Sequence, residues 1–141
     1  MALVVRLISA LLATSSCGQP GVVVDLYNHT PDEIVVRQAF NDASTITERL
    51  APGAQGQFGP ALSWRILMSG AVLELQHPGD EFAESRPFGQ QLFRFQAEAP
   101  GCLFVLLPEQ RAPIVELPPQ PRGYPLRAAN ACAQAPEPGG R

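Results

Sequence analysis

Residues 62–77 read LSWRILMSGAVLELQH. Apolar and polar side chains alternate on both sides of Ser69-Gly70, the period of a half-buried hairpin and not of a helix. With the turn at Ser69-Gly70, Met68 faces Ala71, Ile66 faces Leu73 and Trp64 faces Leu75 on one side. Leu67 faces Val72, Arg65 faces Glu74 and Ser63 faces Gln76 on the other. This single register makes one face wholly apolar and sets opposite charges across the strands. A slip by one residue would destroy both features. Cross-strand pairs of this kind contribute roughly 0.2–1 kcal/mol each. Serine is a mediocre first residue for a tight type I′ turn, so a four-residue loop in the same register is the alternative.

The two-residue period continues on both sides of this hairpin. VVVDLYN (22–28) places Val22, Val24 and Leu26 on one face, and EIVVRQA (33–39) follows NHTPD, where Pro31 and Asp32 favour a reversal. These two runs are expected to pair as a first hairpin. STITERL (44–50) is a third strand, ended by APGAQG, and QGQFG (55–59) a short fourth. LFRFQA (92–97) and CLFVLL (102–107) are expected to pair across the loop EAPG. Phe95 then opposes Phe104, Phe93 opposes Leu106, and Ala97 opposes Cys102. That register leaves Leu103, Val105 and Leu107 on a second apolar face that needs cover. PIVEL (113–117) reads as a last edge strand, because Pro113 cannot donate to a ladder. Pro-Gly turns at 52–53, 78–79 and 100–101 punctuate the strands. The predicted fold is all-β: an antiparallel β-sandwich or small barrel of eight or nine short strands.

Composition sets the frame. The chain has 141 residues, 45% of them hydrophobic, which points to one domain with a real core. Its net charge is −3, and all ten basic residues are arginines scattered along the sequence. That distribution lacks the electrostatic footprint of a nucleic-acid binder. Of fifteen prolines, six fall within residues 118–141. This Pro-rich segment is expected to run as an extended strap over the sandwich to about Cys132, with Tyr124 and Leu126 as its apolar contacts.

The other end of the chain opens with ALVVRLISALLA (2–13), whose apolar run has the length of a signal-peptide core and is too short to span a bilayer of about 30 Å. Ala13 and Ser15, or Thr14 and Ser16, supply the small residues that signal peptidase requires. The run ends in TSSC, which resembles the lipobox of bacterial lipoproteins, where a small-residue triplet precedes the cysteine that is diacylglycerylated. Thr14 stands where the lipobox usually has leucine. Simple secretion is one alternative, and a buried first strand or helix with Cys17 as a core thiol is another. The resemblance covers residues 1–17 and implies a signal peptide over 1–16 and lipidation at Cys17, followed by a tether over 17–21. The alternation and the proline content place the β-sandwich over 22–117 and the strap over 118–141. In a proteobacterial host, Gly18 in place of aspartate implies the outer membrane, facing the periplasm; the alternative is a periplasmic or secreted protein. The opening strand with YNHTP, followed by LAPG, also resembles small β-rich lipoproteins, a likeness that carries no function. With Cys17 lipidated, Cys102 and Cys132 are left as an even pair in an oxidising compartment, and a disulfide between them is expected.

The search for chemistry returns little. His29 and His77 have no metal-ligand spacing. The three cysteines form no CxxC pair, and no nucleophile-elbow, zincin, phosphate-loop or dinucleotide fingerprint occurs. Asp80, Glu81 and Glu84 cluster in PGDEFAES, which reads as an acidic solvated loop. NHT fits the N-glycosylation pattern, which a bacterial exported protein normally leaves bare. No catalytic residue, cofactor, metal or small-molecule substrate is expected. The predicted role is non-enzymatic: binding, scaffolding or assembly at the bacterial envelope, with the membrane and an envelope protein as partners. The alternative is an inhibitor of a periplasmic or host hydrolase that presents loop 78–91.

Overall fold

A computed structural model describes residues 21–68 and 71–128. They form a β-sandwich and not a closed barrel. Ten strands run in chain order: β1 (Val22–His29), β2 (Ile34–Ala39), β3 (Thr45–Leu50), β4 (Gln55–Ala61), β5 (Ser63–Met68), β6 (Ala71–Glu74), β7 (Glu84–Ser85), β8 (Gln91–Glu98), β9 (Cys102–Leu106) and β10 (Leu126–Arg127). One sheet has the order β10-β9-β8-β1-β4, with β7 also paired to β8; the other has the order β3-β2-β5-β6.

The hairpin that decides the fold forms in the expected register. Arg65 pairs with Glu74, Ile66 with Leu73, Leu67 with Val72 and Met68 with Ala71. The Leu75 N–H donates to the Trp64 carbonyl at 3.1 Å, which extends the register by one more pair. Arg65 Nε lies 3.1 Å from Glu74 Oε1 on the solvent face. Trp64, Ile66, Met68, Leu73 and Leu75 are all buried. They pack against Val24, Leu26, Phe93, Phe95, Leu103 and Val105 of the larger sheet. The turn residues Ser69 and Gly70 lie outside the described residues.

The first two runs do not form a hairpin. β1 belongs to the larger sheet and β2 to the smaller, so NHTPD carries the chain across the sandwich. Asn28 directs this crossing. Its Nδ2 donates to the carbonyls of Asp32 at 2.8 Å and Leu50 at 3.0 Å, while its Oδ1 accepts from the N–H and hydroxyl of Thr30. A fully buried amide satisfied in this way fixes a crossover and leaves no room for a glycan.

Strands β8 and β9 pair one residue away from the expected register. Phe95 opposes Val105, Gln96 opposes Phe104 and Ala97 opposes Leu103. Residues 99–101 alone make the turn, one fewer than EAPG supplies. Leu103, Val105 and Leu107 therefore face the core, and Cys102, Phe104 and Leu106 take the outer face. A second departure is that β1 and β8 run parallel, over Val22–Gln91 to His29–Glu98. Both strands are buried on two faces, as parallel neighbours usually are.

PIVEL does not form a strand. Residues 107–121 instead cross the outer face of the larger sheet, where Leu117 and Ala128 pack on Cys102 and Phe104. Two glutamines stand in for strand partners. Gln120 bonds both main-chain groups of Val105, and Gln96 bonds both main-chain groups of Ile114. Tyr124 is buried, and its hydroxyl donates to the Gln76 carbonyl, tying this segment to the end of the deciding hairpin. Burial pushes the Tyr124 phenol up to about 12.

Candidate functional site

The sequence-derived residues scatter over the molecule. Cys17 and Cys132 lie outside the described residues. Cys102 is buried at the start of β9 and pairs in register with Arg127, so the C-terminal segment reaches it. The histidines, one at the end of β1 and one in the loop after β6, contact opposite ends of β8. His29 Nδ1 meets Glu98 Oε2 at 2.6 Å, and His77 Nε2 meets Gln91 Oε1 at 3.2 Å. His77 also packs edge-on against Phe93, with ring centroids 4.7 Å apart. Among the described residues, no group of three His, Cys, Asp or Glu is placed to hold a metal ion.

Of the acidic loop, Glu84 is not simply solvated. It lies on β7, and its Oε1 accepts from Arg94 Nη2 at 2.8 Å. Arg94 Nη1 donates to Asp25 Oδ2 at 2.7 Å, and Gln55 Nε2 donates to both Asp25 oxygens. Asp25 and Arg94 are register partners on β1 and β8, and both are buried. The Arg94 hydrogen bond, and then the charges of Arg94, Arg111 and Arg86, hold the Glu84 carboxyl below its usual range despite some desolvation. This cluster was missed from sequence. Its signal is an aspartate and an arginine each set inside an apolar run, in VVVDLYN and LFRFQA. Every carboxylate in it is engaged, so it clamps the loop and offers no free acid–base pair.

The clamp holds the base of the 78–91 loop. Phe82, on a single 3-10 turn at Asp80–Phe82, inserts into the core. Glu84 and Ser85 pair with the start of β8. Beyond them, a second 3-10 turn at Pro87–Gly89 carries Phe88 at φ 64°, ψ 27°, a left-handed conformation that L residues rarely adopt. The Phe88 side chain is 73% exposed. A rigid base thus offers an aromatic ring on strained backbone, pre-set in one direction.

A separate groove of about 550 Å³ opens beside Gly21, between the β2–β3 turn and the bend from β4 into β5. No protein-family model, curated protein or solved structure matches this chain.

Proposed function

We propose that this chain is a small bacterial lipoprotein with a non-enzymatic binding or assembly role at the cell envelope. Its anchor is a diacylglyceryl group on Cys17, and its binding element is the loop that carries Phe88. The observation that supports binding is Phe88 itself, held at φ 64° with 73% of its surface in water. Left-handed backbone costs about 1–2 kcal/mol at a non-glycine residue. Here it serves a two-residue hairpin turn, closed by the Gln90 N–H on the Pro87 carbonyl and the Arg86 N–H on the Gln90 carbonyl. That turn fixes the direction of an exposed aromatic ring, a residue type enriched where proteins meet partners. The loop leads into Gln91, whose N–H donates to the Gly21 carbonyl, so it stands at the tethered end of the domain and its partner is a protein at the membrane surface.

Two measurements test this reading. Intact mass of the membrane fraction, after expression in a diderm host, is expected to show a cleaved chain acylated at Cys17. An unmodified thiol, or a soluble protein beginning at Met1, sinks the anchor. A photo-crosslinking phenylalanine at position 88 is expected to capture an envelope protein in intact cells. The same probe at Val72, also exposed but on the outer face of the other sheet, is expected to stay unreacted. Adducts with lipid alone, or none, refute the protein partner.

The same loop also supports the second reading, inhibition of a periplasmic or host hydrolase. A projecting residue on a clamped base is how a substrate-like loop enters an active site. Loss of inhibition in a Phe88→Ala variant, against a hydrolase that the native chain blocks, distinguishes it.

A further inference from the structure

We infer that the end of the sandwich at Gly21 rests against the lipid bilayer, with Leu62 and Ile46 facing the membrane. This inference depends on acylation of Cys17. The Gly21 carbonyl accepts from the Gln91 N–H at 3.0 Å, which fixes where the tether meets the domain. Cys17 stands four residues earlier in the sequence. Fully extended, four residues reach about 14 Å. An acylated cysteine sits at headgroup level, so the Gly21 end is held within that reach of the surface.

That end carries the apolar side chains suited to such contact. The groove beside Gly21 is lined by Leu62, Ile46, Phe40 and Pro60. Leu62 is 66% exposed and Ile46 47%, two of the five large apolar side chains exposed among the described residues. Their exposure follows from the topology. Strand β3 is an edge strand paired only to β2, and all its residues except Leu50 are exposed. Ile46 opposes the buried Gln38, so it points to the inner side of its sheet, where the edge leaves it only half covered. Leu62 lies at the bend where the chain passes from one sheet to the other. In water both side chains expose apolar surface, and at a bilayer they lose it.

The charge at this rim biases which lipid it meets. Asp42 lines the groove, exposed to solvent, and the Ser44 hydroxyl and N–H bonded to it hold its carboxyl below the usual carboxylate range. An anion there favours a zwitterionic surface, such as phosphatidylethanolamine, over an anionic one. The tether supplies attachment, since two acyl chains anchor stably, and the apolar rim sets orientation.

The test uses the full acylated chain, purified from a diderm host and placed in small phosphatidylethanolamine–phosphatidylcholine nanodiscs containing doxyl-labelled lipid. Methyl resonances of Leu62 and Ile46 are expected to broaden severalfold more than that of Val72, near the opposite end of the deciding hairpin. A Leu62→Asn, Ile46→Asn double variant is expected to stay membrane-bound and lose the excess broadening at the neighbouring Ala61 methyl. Equal broadening of all three residues in the acylated native chain, or stronger broadening at Val72, overturns the orientation and leaves the anchor standing. An unacylated Cys17 removes both.

Discussion

Gln120 pairs with Val105 as a neighbouring strand would. The Val105 N–H donates to Gln120 Oε1 at 2.8 Å, and Gln120 Nε2 donates to the Val105 carbonyl at 3.0 Å. Strand β10 reaches only Cys102 and Leu103, so this side chain closes the edge of β9 where the sheet runs out of strands. Gln120 is buried, and its loss would strand two main-chain groups away from water. A buried unpaired donor or acceptor costs about 1–3 kcal/mol. Gln120→Leu is therefore expected to lower the unfolding free energy by about 2–4 kcal/mol in urea titrations. A change within about 0.5 kcal/mol, the range of ordinary surface substitutions, would show that the pairing contributes nothing.

The Asp25–Arg94–Glu84 cluster predicts both a mutational and a pH effect. Arg94→Met leaves the buried Asp25 carboxylate without its cation. Breaking a buried pair in this way costs about 3–5 kcal/mol. For acid, the sign follows from Glu84. Its folded-state pKa is lowered from the usual 4.5, so the unfolded chain binds that proton more tightly. The stability it supplies is complete above 4.5 and is lost as pH falls below it. Unfolding free energies measured from neutral pH into this acid range should converge for the native chain and Glu84→Gln. A constant gap across the range would exclude the linkage.

Phe88→Gly should separate stability from binding. Glycine adopts a positive φ freely, and the exposed ring contributes little packing. Thermal unfolding is expected at higher temperature, with a gain of about 1 kcal/mol. Capture of the envelope partner should be lost in the same variant. A destabilised variant would mean that the ring packs on the domain.

The parts of this fold that were legible in sequence are the local ones. Residues 62–77 hold the alternation, the charge pair and the turn within sixteen positions, and only one register satisfies all three. Strand β9 offers no such choice. Cys102–Leu106 is apolar at every position, so a slip by one residue still presents an apolar face, and only the turn length decides. The crossover after β1 depends on Asn28 reaching the Leu50 carbonyl, a contact 22 residues away that no local pattern announces. The candidate site has the same character. Arg94 and Asp25 are 69 residues apart, and the strain at Phe88 is a backbone angle, invisible in Pro-Phe-Gly.

A disulfide between Cys102 and Cys132 is expected to fasten the C-terminal segment to the sheet. The sequence argument is the even pair left after lipidation of Cys17 in an oxidising compartment. The fold adds an independent reason. Arg127 pairs in register with Cys102, and Ala128 packs beside it, so the chain leaves the described residues next to this sulfur and only four positions before Cys132. The bond would close a loop of about 30 residues and stabilise the fold by roughly 3–4 kcal/mol by chain-entropy arguments, less any strain. It would also hold Gln120, Tyr124 and Leu117 against the sheet, since all three lie inside the closed loop. Non-reducing peptide mapping of the exported protein should recover the two cysteines in one linked peptide, and Cys132→Ser should lower the unfolding temperature to that of the reduced native chain. Alkylation of both thiols without reduction, or a dimer linked through Cys132 of two chains, would leave this segment held by non-covalent ties alone, Gln120 and Tyr124 among them.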